Sequence, residues 1–346
     1  MIKSKRYSYI DILNIIATFS VLALHTSQAF FWTPKTSSIH QQTAVMQIVF
    51  IPAVLLFFMI SGAMLVEYKK KQSTKVFLQH RLKRVGMPFF IWSVLWYLYD
   101  IFWPAYPGPI RHLNPSLIDF IRGLVMNNIN NTFWFFYVII SLYLVTPLFS
   151  QLAISGKTNL LFGIVCVYFL FNCVLNYAVG IFHLDISLNQ ISQPLLTSSY
   201  IGYFIIGYLI HKNYFSRRNE NLFILCGSIS LILAVILSFS NPGLKTTSTT
   251  GLLVFLYSVA LFIIIKRWGS RIILNDKQTL ILAKIASTNL GVYLVHPFFI
   301  KAFDKVFVLK QTSWIHVYLF PFIIYGFSIV VIFICKKIPI VKSIFP

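Results

Sequence analysis

Two histidines lie in strongly apolar sequence. His25 sits in Ala23-Leu24-His25-Thr26-Ser27 and His296 in Tyr293-Leu294-Val295-His296-Pro297-Phe298. An imidazole can take and return a proton near neutral pH, and an ionisable group in a lipid-soluble segment costs a few kcal/mol, which invites a functional reading. The plainer reading is a neutral ring donating to a nearby carbonyl. Pro297 strengthens that reading for His296, because a proline lacks the backbone donor and frees a carbonyl one turn earlier. Near the start of the same first segment, Asp11 and Asn14 share a helical face, and Asp11 would also complement a helix N-terminus. Arg81, Lys83 and Arg84 follow Lys69-Lys70-Lys71. Such clusters commonly set membrane orientation, but guanidinium groups also hold phosphates bidentately. Ser61, in Phe58-Met59-Ile60-Ser61-Gly62-Ala63, lies among small residues that favour close helix packing.

Other chemistries lack their residues. The chain has no GxSxG elbow, P-loop, HExxH or paired-carboxylate motif. Cys166, Cys173, Cys226 and Cys335 all fall in apolar runs without metal or disulfide spacing, so no metal is expected.

These groups must be positioned by membrane helices. Of 346 residues, 58% are hydrophobic and 11% charged, with 34 Phe, 18 Tyr and 7 Trp, and the mean hydropathy is +0.77. Soluble domains carry about 25% charged residues. Apolar runs bounded by charge or turn residues place spans at 9–31, 45–66, 85–104, 132–153, 159–181, 195–211, 221–240, 249–265, 280–302 and 314–335. An all-α polytopic membrane protein of about ten transmembrane helices is expected, as one integral domain over residues 1–346. The sixth and eighth spans are near the shortest length that crosses a bilayer. The run ending at Phe30-Phe31-Trp32 has no small-residue cleavage site, so it reads as a retained first span. Between spans, residues 117–125 suit a short interfacial helix, and Asn127 to Thr132 a polar turn and helix start.

The formal net charge is +21. In a soluble protein this would suggest nucleic acid, but here it sorts by loop. With the N-terminus inside, 21 of the 29 basic residues fall on the inner loops and tails, so both termini are expected to be cytoplasmic. No nucleic-acid partner is expected.

At these residues the chain resembles the acyltransferase 3 family of integral membrane O-acyltransferases. The elements occur in order along nearly the whole chain: Asp11-x-x-Asn14 followed by His25; Phe57 to Gly62; Phe77-x3-Arg81-x2-Arg84-x3-Pro88; Trp134-Phe135-Phe136 continuing to Tyr143 and Pro147; Tyr203-Phe204-x2-Gly207; and Ser287-x3-Gly291-x-Tyr293-Leu294-x-His296-Pro297. Within the family it is similar to the branch that O-acetylates surface polysaccharides, of the enterobacterial common antigen type.

The resemblance implies a bacterial enzyme of the plasma (inner) membrane. It would move an acetyl group from cytoplasmic acetyl-CoA, a cosubstrate and not a bound cofactor, to a hydroxyl of a cell-surface or lipid-linked saccharide. It makes His25 the catalytic histidine and Arg81 and Arg84 the residues that handle acyl-CoA. Asp11, Asn14, Ser61, Trp134, Tyr293 and His296 are site-shaping candidates, with Trp134, Tyr137 and Tyr293 expected at the outer rim, as sugar-stacking groups or an aromatic belt. Family members usually carry Arg eleven residues before the first-helix histidine. Here that position is Asn14, so Lys284 or Arg84 would have to supply the charge, or activity is altered. The competing readings are a carrier or exporter of lipid-linked sugar, and a catalytically silent protein of the same fold.

Overall fold

The computed structural model describes residues 6–102, 108, 112–182, 200–240, 246–342 and 344–345. All regular structure in it is helical. The first helix, α1 (Ser8–Thr26), is followed by α2 (Ser38–Phe50) and α3 (Pro52–Leu65), which together form one long apolar stretch. Next come α4 (Thr74–Arg81) and α5 (Met87–Phe102), joined without a break through a wide turn at Leu82–Gly86, then α6 (Leu117–Val125) and α7 (Trp134–Ile154). Helices α8 (Thr158–Tyr168) and α9 (Leu175–Ile181) form another continuous rod. The remainder is α10 (Ile201–His211), α11 (Arg217–Ser240), α12 (Leu252–Gly269), α13 (Asp276–Ala286), α14 (Asn289–Phe307) and α15 (Phe320–Cys335), the last preceded by a wide turn at Ile315–Leu319.

Among the described residues, eight helical stretches are long and apolar enough to cross a bilayer, and a ninth arises if α13 and α14 count as one bent span. The polytopic all-α expectation therefore holds, with two refinements. The expected span at 280–302 is a pair of helices bent by 50°; the break falls at Ser287-Thr288, where the hydroxyls turn back onto the carbonyls of Lys284 and Ile285. The expected span at 195–211 is represented by α10, and residues 195–199 lie outside those described. At 11 residues α10 covers roughly 16 Å, about half a bilayer core. It is a core helix: Ile201 to Ile210 are all buried, packed by α3, α8 and α12. The short helix expected at 117–125 is found as α6. It leaves Leu117, Ile118, Ile121 and Val125 exposed and is tied to α5 by Tyr97, whose hydroxyl donates to Asp119 at 2.8 Å.

Helix α1 is the hub, touching α2, α3, α12, α13, α14 and α15. The second organising contact is the crossing of α3 and α10, which two glycines permit. A Cβ on Gly62 would lie 1.7 Å from the Phe204 carbonyl oxygen, and one on Gly207 2.2 Å from that of Met59. Both obstacles are backbone, so a methyl group can be fitted only by separating the helices. Gly62→Ala and Gly207→Ala are each expected to destabilise the fold by about 1–3 kcal/mol, read as earlier thermal unfolding in detergent. Unchanged melting in both would contradict this crossing.

Candidate functional site

The α1 sequence places polar groups at both ends of an apolar rod, and the site follows that division. At the start of α1, a cavity of about 420 Å³ is lined by Asp11, Asn14, Ser61, Arg81, Arg84 and Tyr293, together with Tyr143, Ser287, Asn289 and apolar side chains of α3 and α7. Six residues singled out from sequence thus meet in one space, contributed by α1, α3, the α4–α5 rod and α14.

Their states differ. Asp11 is engaged by Arg6, whose Nε and Nη2 donate to the two carboxylate oxygens at 2.7 and 3.0 Å, so it neutralises a cation more than it offers charge to the cavity. Asn14 donates one amide N–H to the Ile10 carbonyl at 3.0 Å, which leaves Oδ1 and its second N–H as the groups it can present. Arg81 lies 5.8 Å from the ring centroids of both Phe77 and Tyr143, a cation–π setting that holds the guanidinium, and its Nε is buried without a hydrogen-bond partner among the described residues. Of the two cations considered for the place of the family arginine, Arg84 shares the cavity with Asn14. Lys284 is exposed on α13 and is not part of the lining.

At the other end of α1, His25 sits in the last turn and its ring centroid is 4.9 Å from that of His296, with the planes at 48°. Two histidines 271 positions apart in sequence are therefore in contact. The His296 ring is fully buried, and its Nδ1 lies 2.7 Å from the Tyr293 carbonyl oxygen. That carbonyl belongs to the residue four before Pro297, the one whose usual partner the proline removes. A carbonyl only accepts, so Nδ1 carries the proton and Nε2 is a bare lone pair; it is buried and has no partner among the described residues. His25 is half-buried. Gln28 Nε2 lies 3.1 Å from its Nδ1, and because an amide nitrogen donates, Nδ1 is the accepting atom and the neutral ring holds its proton on Nε2.

Tyr293 joins the two parts. One turn before His296 on α14, it lines the cavity, while its hydroxyl donates to the Thr132 carbonyl at 2.5 Å. It is buried, which corrects the expectation of a rim aromatic. Trp134 stands apart from the cavity lining, against Tyr200 and Phe58 at ring centroids of 5.4 and 6.4 Å. Tyr137 donates its hydroxyl to the Leu124 carbonyl and serves to seat α6. The cavity thus ends at Tyr293, about one helical turn short of the histidine pair.

Residues 7–336 match the family model described as an acyltransferase domain. No curated protein and no solved structure gives a significant match. A family match over nearly the whole chain, on a bundle of membrane-length helices with a polar cavity at its core, assigns this protein to the acyltransferase 3 family of membrane acyltransferases.

Proposed function

We propose that the protein transfers an acetyl group from cytoplasmic acetyl-CoA to a hydroxyl of a cell-surface or lipid-linked polysaccharide, as a multi-pass enzyme of the bacterial inner membrane. The observation that carries this reading is the alignment along α1 and α14 of an arginine-lined cavity with a histidine pair just beyond its floor. CoA is large and anionic at one end and reactive at the other. Arg81 and Arg84 suit its phosphates, and the apolar walls of α3 and α7 suit the arm that leads inward. The basic residues gathered on the inner loops support a cytoplasmic mouth.

In the transfer, the acceptor hydroxyl oxygen attacks the thioester carbonyl. Its proton passes to His25, the new C–O bond forms as the C–S bond breaks, and the CoA sulfur leaves and takes the proton back as a thiol. His25 is the less deeply buried ring of the pair, and its accepting atom, Nδ1, is occupied at rest by the Gln28 amide, which the incoming hydroxyl would replace. His296 cannot rotate freely, since its Nδ1 holds the carbonyl that Pro297 leaves open. It therefore presents a fixed, proton-free Nε2 beside the base.

Alkali-labile acetyl esters on surface glycans, measured by mass spectrometry in cells lacking the protein, test the reading. They are expected to disappear and to return with wild type but not with His25→Ala, which should lower the transfer rate by about 10²–10⁴-fold. Restored acetylation by His25→Ala would remove the proposed base. A glycan missing from the surface with its acetylation intact would favour export instead.

Arg81→Ala and Arg84→Ala are each expected to raise KM for acetyl-CoA by roughly tenfold or more, the worth of a charge-assisted phosphate contact of about 1.5–3 kcal/mol, with a smaller change in kcat. Steady-state kinetics in which only the acceptor KM moved would place the donor elsewhere. His296→Phe is expected to lower both activity and stability, the latter by about 1–3 kcal/mol, because it leaves the Tyr293 carbonyl unanswered in an apolar interior. Thermal unfolding that matched wild type would show that the carbonyl finds another donor.

A further inference from the structure

The end of α1 is held from outside itself. A helix leaves its last four carbonyls without intrahelical partners, and inside a membrane no bulk water answers them. Part of the answer is local: Ser27 donates its hydroxyl to the Ala23 carbonyl at 2.7 Å. The carbonyls on either side of His25 are answered by remote elements. Gln47, from α2, donates its amide to the Leu24 carbonyl at 2.8 Å and to the Ser27 hydroxyl at 2.9 Å. His316, from the turn that opens the last span, donates Nδ1–H to the Thr26 carbonyl at 2.9 Å. Gln47 is 4% exposed and His316 2%. Both are polar side chains kept at full burial in an apolar surround, a placement that is costly unless the bond is made.

His316 reaches further. Its other ring nitrogen, Nε2, lies 3.1 Å from Asp304 Oδ1, within ion-pair distance when the ring is protonated but without hydrogen-bond geometry, and Asp304 accepts from Gln311 through Oδ2 at 3.4 Å. Asp304 is on α14, two turns beyond His296. His316, bonded to the Thr26 carbonyl and lying beside Asp304, therefore stands between the same two helices that the His25–His296 contact joins. The two contacts lie about 12 Å apart along α14 and add side-chain restraint, near the end of α1 that carries His25, to the packing of the two helices.

We propose that Gln47 and His316, braced by Asp304, are positioning residues that clamp the backbone on both sides of His25 and so hold its ring against His296. The proposal rests on His25 as the base only for its effect on rate; its geometric content stands independently. The hydroxyls of Thr26 and Ser27 both turn back on the Ala23 carbonyl, and Ser27 reaches the Leu24 carbonyl only at 3.3 Å. The donors on the two carbonyls that flank His25 come from α2 and from the last span, so satisfying this helix end also ties the backbone around His25 to two remote elements.

The test uses the full-length protein in lipid nanodiscs, with Gln47→Leu, His316→Leu, His316→Gln and Asp304→Asn. His316→Leu and Gln47→Leu are expected to lower kcat at least tenfold, with KM for acetyl-CoA within about twofold of wild type. His316→Gln, which keeps a donor for the Thr26 carbonyl, is expected to recover a substantial part, and Asp304→Asn to fall between. Independently of turnover, the ring-nitrogen NMR signals of His25 in ¹⁵N-histidine-labelled protein are expected to shift or broaden in both Leu variants, against assignment by His25→Ala. Unmoved His25 signals in both Leu variants would overturn the clamp whether or not the protein proves to be an acetyltransferase. So would a kcat loss that only follows the fraction of folded protein, or equal loss in His316→Leu and His316→Gln. If His25→Ala retains activity while the Leu variants still move the His25 signals, the base assignment fails and the clamp stands.

Discussion

A backbone carbonyl that faces hydrocarbon must find a donor within the protein, and in this molecule that requirement sets the state of the candidate catalytic groups. Pro297 withdraws the donor of the Tyr293 carbonyl; His296 supplies one from Nδ1. The bond settles the tautomer, anchors the ring to its own helix and leaves Nε2 as the atom without a proton. The plain structural reading of a histidine beside a proline and the functional reading of a histidine beside a base are therefore the same arrangement seen from its two nitrogens. The Tyr293 ring, on that same turn, lines the end of the cavity and is tied to the Thr132 carbonyl, so one turn of α14 carries both the cavity's end wall and the backbone carbonyl that orients the neighbouring imidazole.

Charge and proton chemistry are kept at opposite ends of one helix. Asp11 and Asn14 lie in the early turns of α1 and His25 in its last. The arginines reach the early end from the α4–α5 rod, where Arg81 is steadied between two aromatic rings. With Asn14 uncharged and Asp11 already paired with Arg6, Arg81 and Arg84 are the cations that line the cavity. A guanidinium at position 14 would have placed its charge on α1 itself. Here it comes from a neighbouring rod, so on the acetyl-transfer reading the groups that would hold the donor's phosphates are not on the helix that carries the proposed base.

Much of this could be read before the fold was seen, because polar residues are rare in the sequence and each rare one carries information. His25, His296, Asn14, Ser61, Arg81 and Arg84 stood out for that reason, and the structure places all but the histidines on one cavity and the histidines on each other. The short helix α6 was legible from the prolines before it and its apolar run. What the sequence concealed is what uniform hydrophobicity erases. An apolar helix has no polar face to say which side is inward, so Tyr293 read as a rim residue although it is buried, and nothing in the run at 201–211 told that α10 is enclosed on all sides by other helices. Gln47 and His316 were passed over because their partners are backbone carbonyls 23 and 290 positions away, and a carbonyl has no sequence signature. The bend between α13 and α14 was missed because Ser287 and Thr288 are ordinary in a membrane helix until their hydroxyls are seen to turn inward.

The use of α1 as the common support has a further consequence for the proposed reaction. Eleven residues of helix separate Asn14 from His25, about 16 Å, and that separation cannot be tuned by a loop. A donor held by its phosphates at the arginine end must present its thioester at a distance the helix has already set. The acyl group itself meets the region bounded by Tyr293 and the two histidines, where Tyr293 is tied to Thr132 and His296 to its own backbone. Walls held in this way leave little room to adapt. On the acetyl-transfer reading, the short acyl group is then selected by the rigidity of the far end of the site, and the long carrier by the length of α1, two independent constraints that a single central helix imposes together.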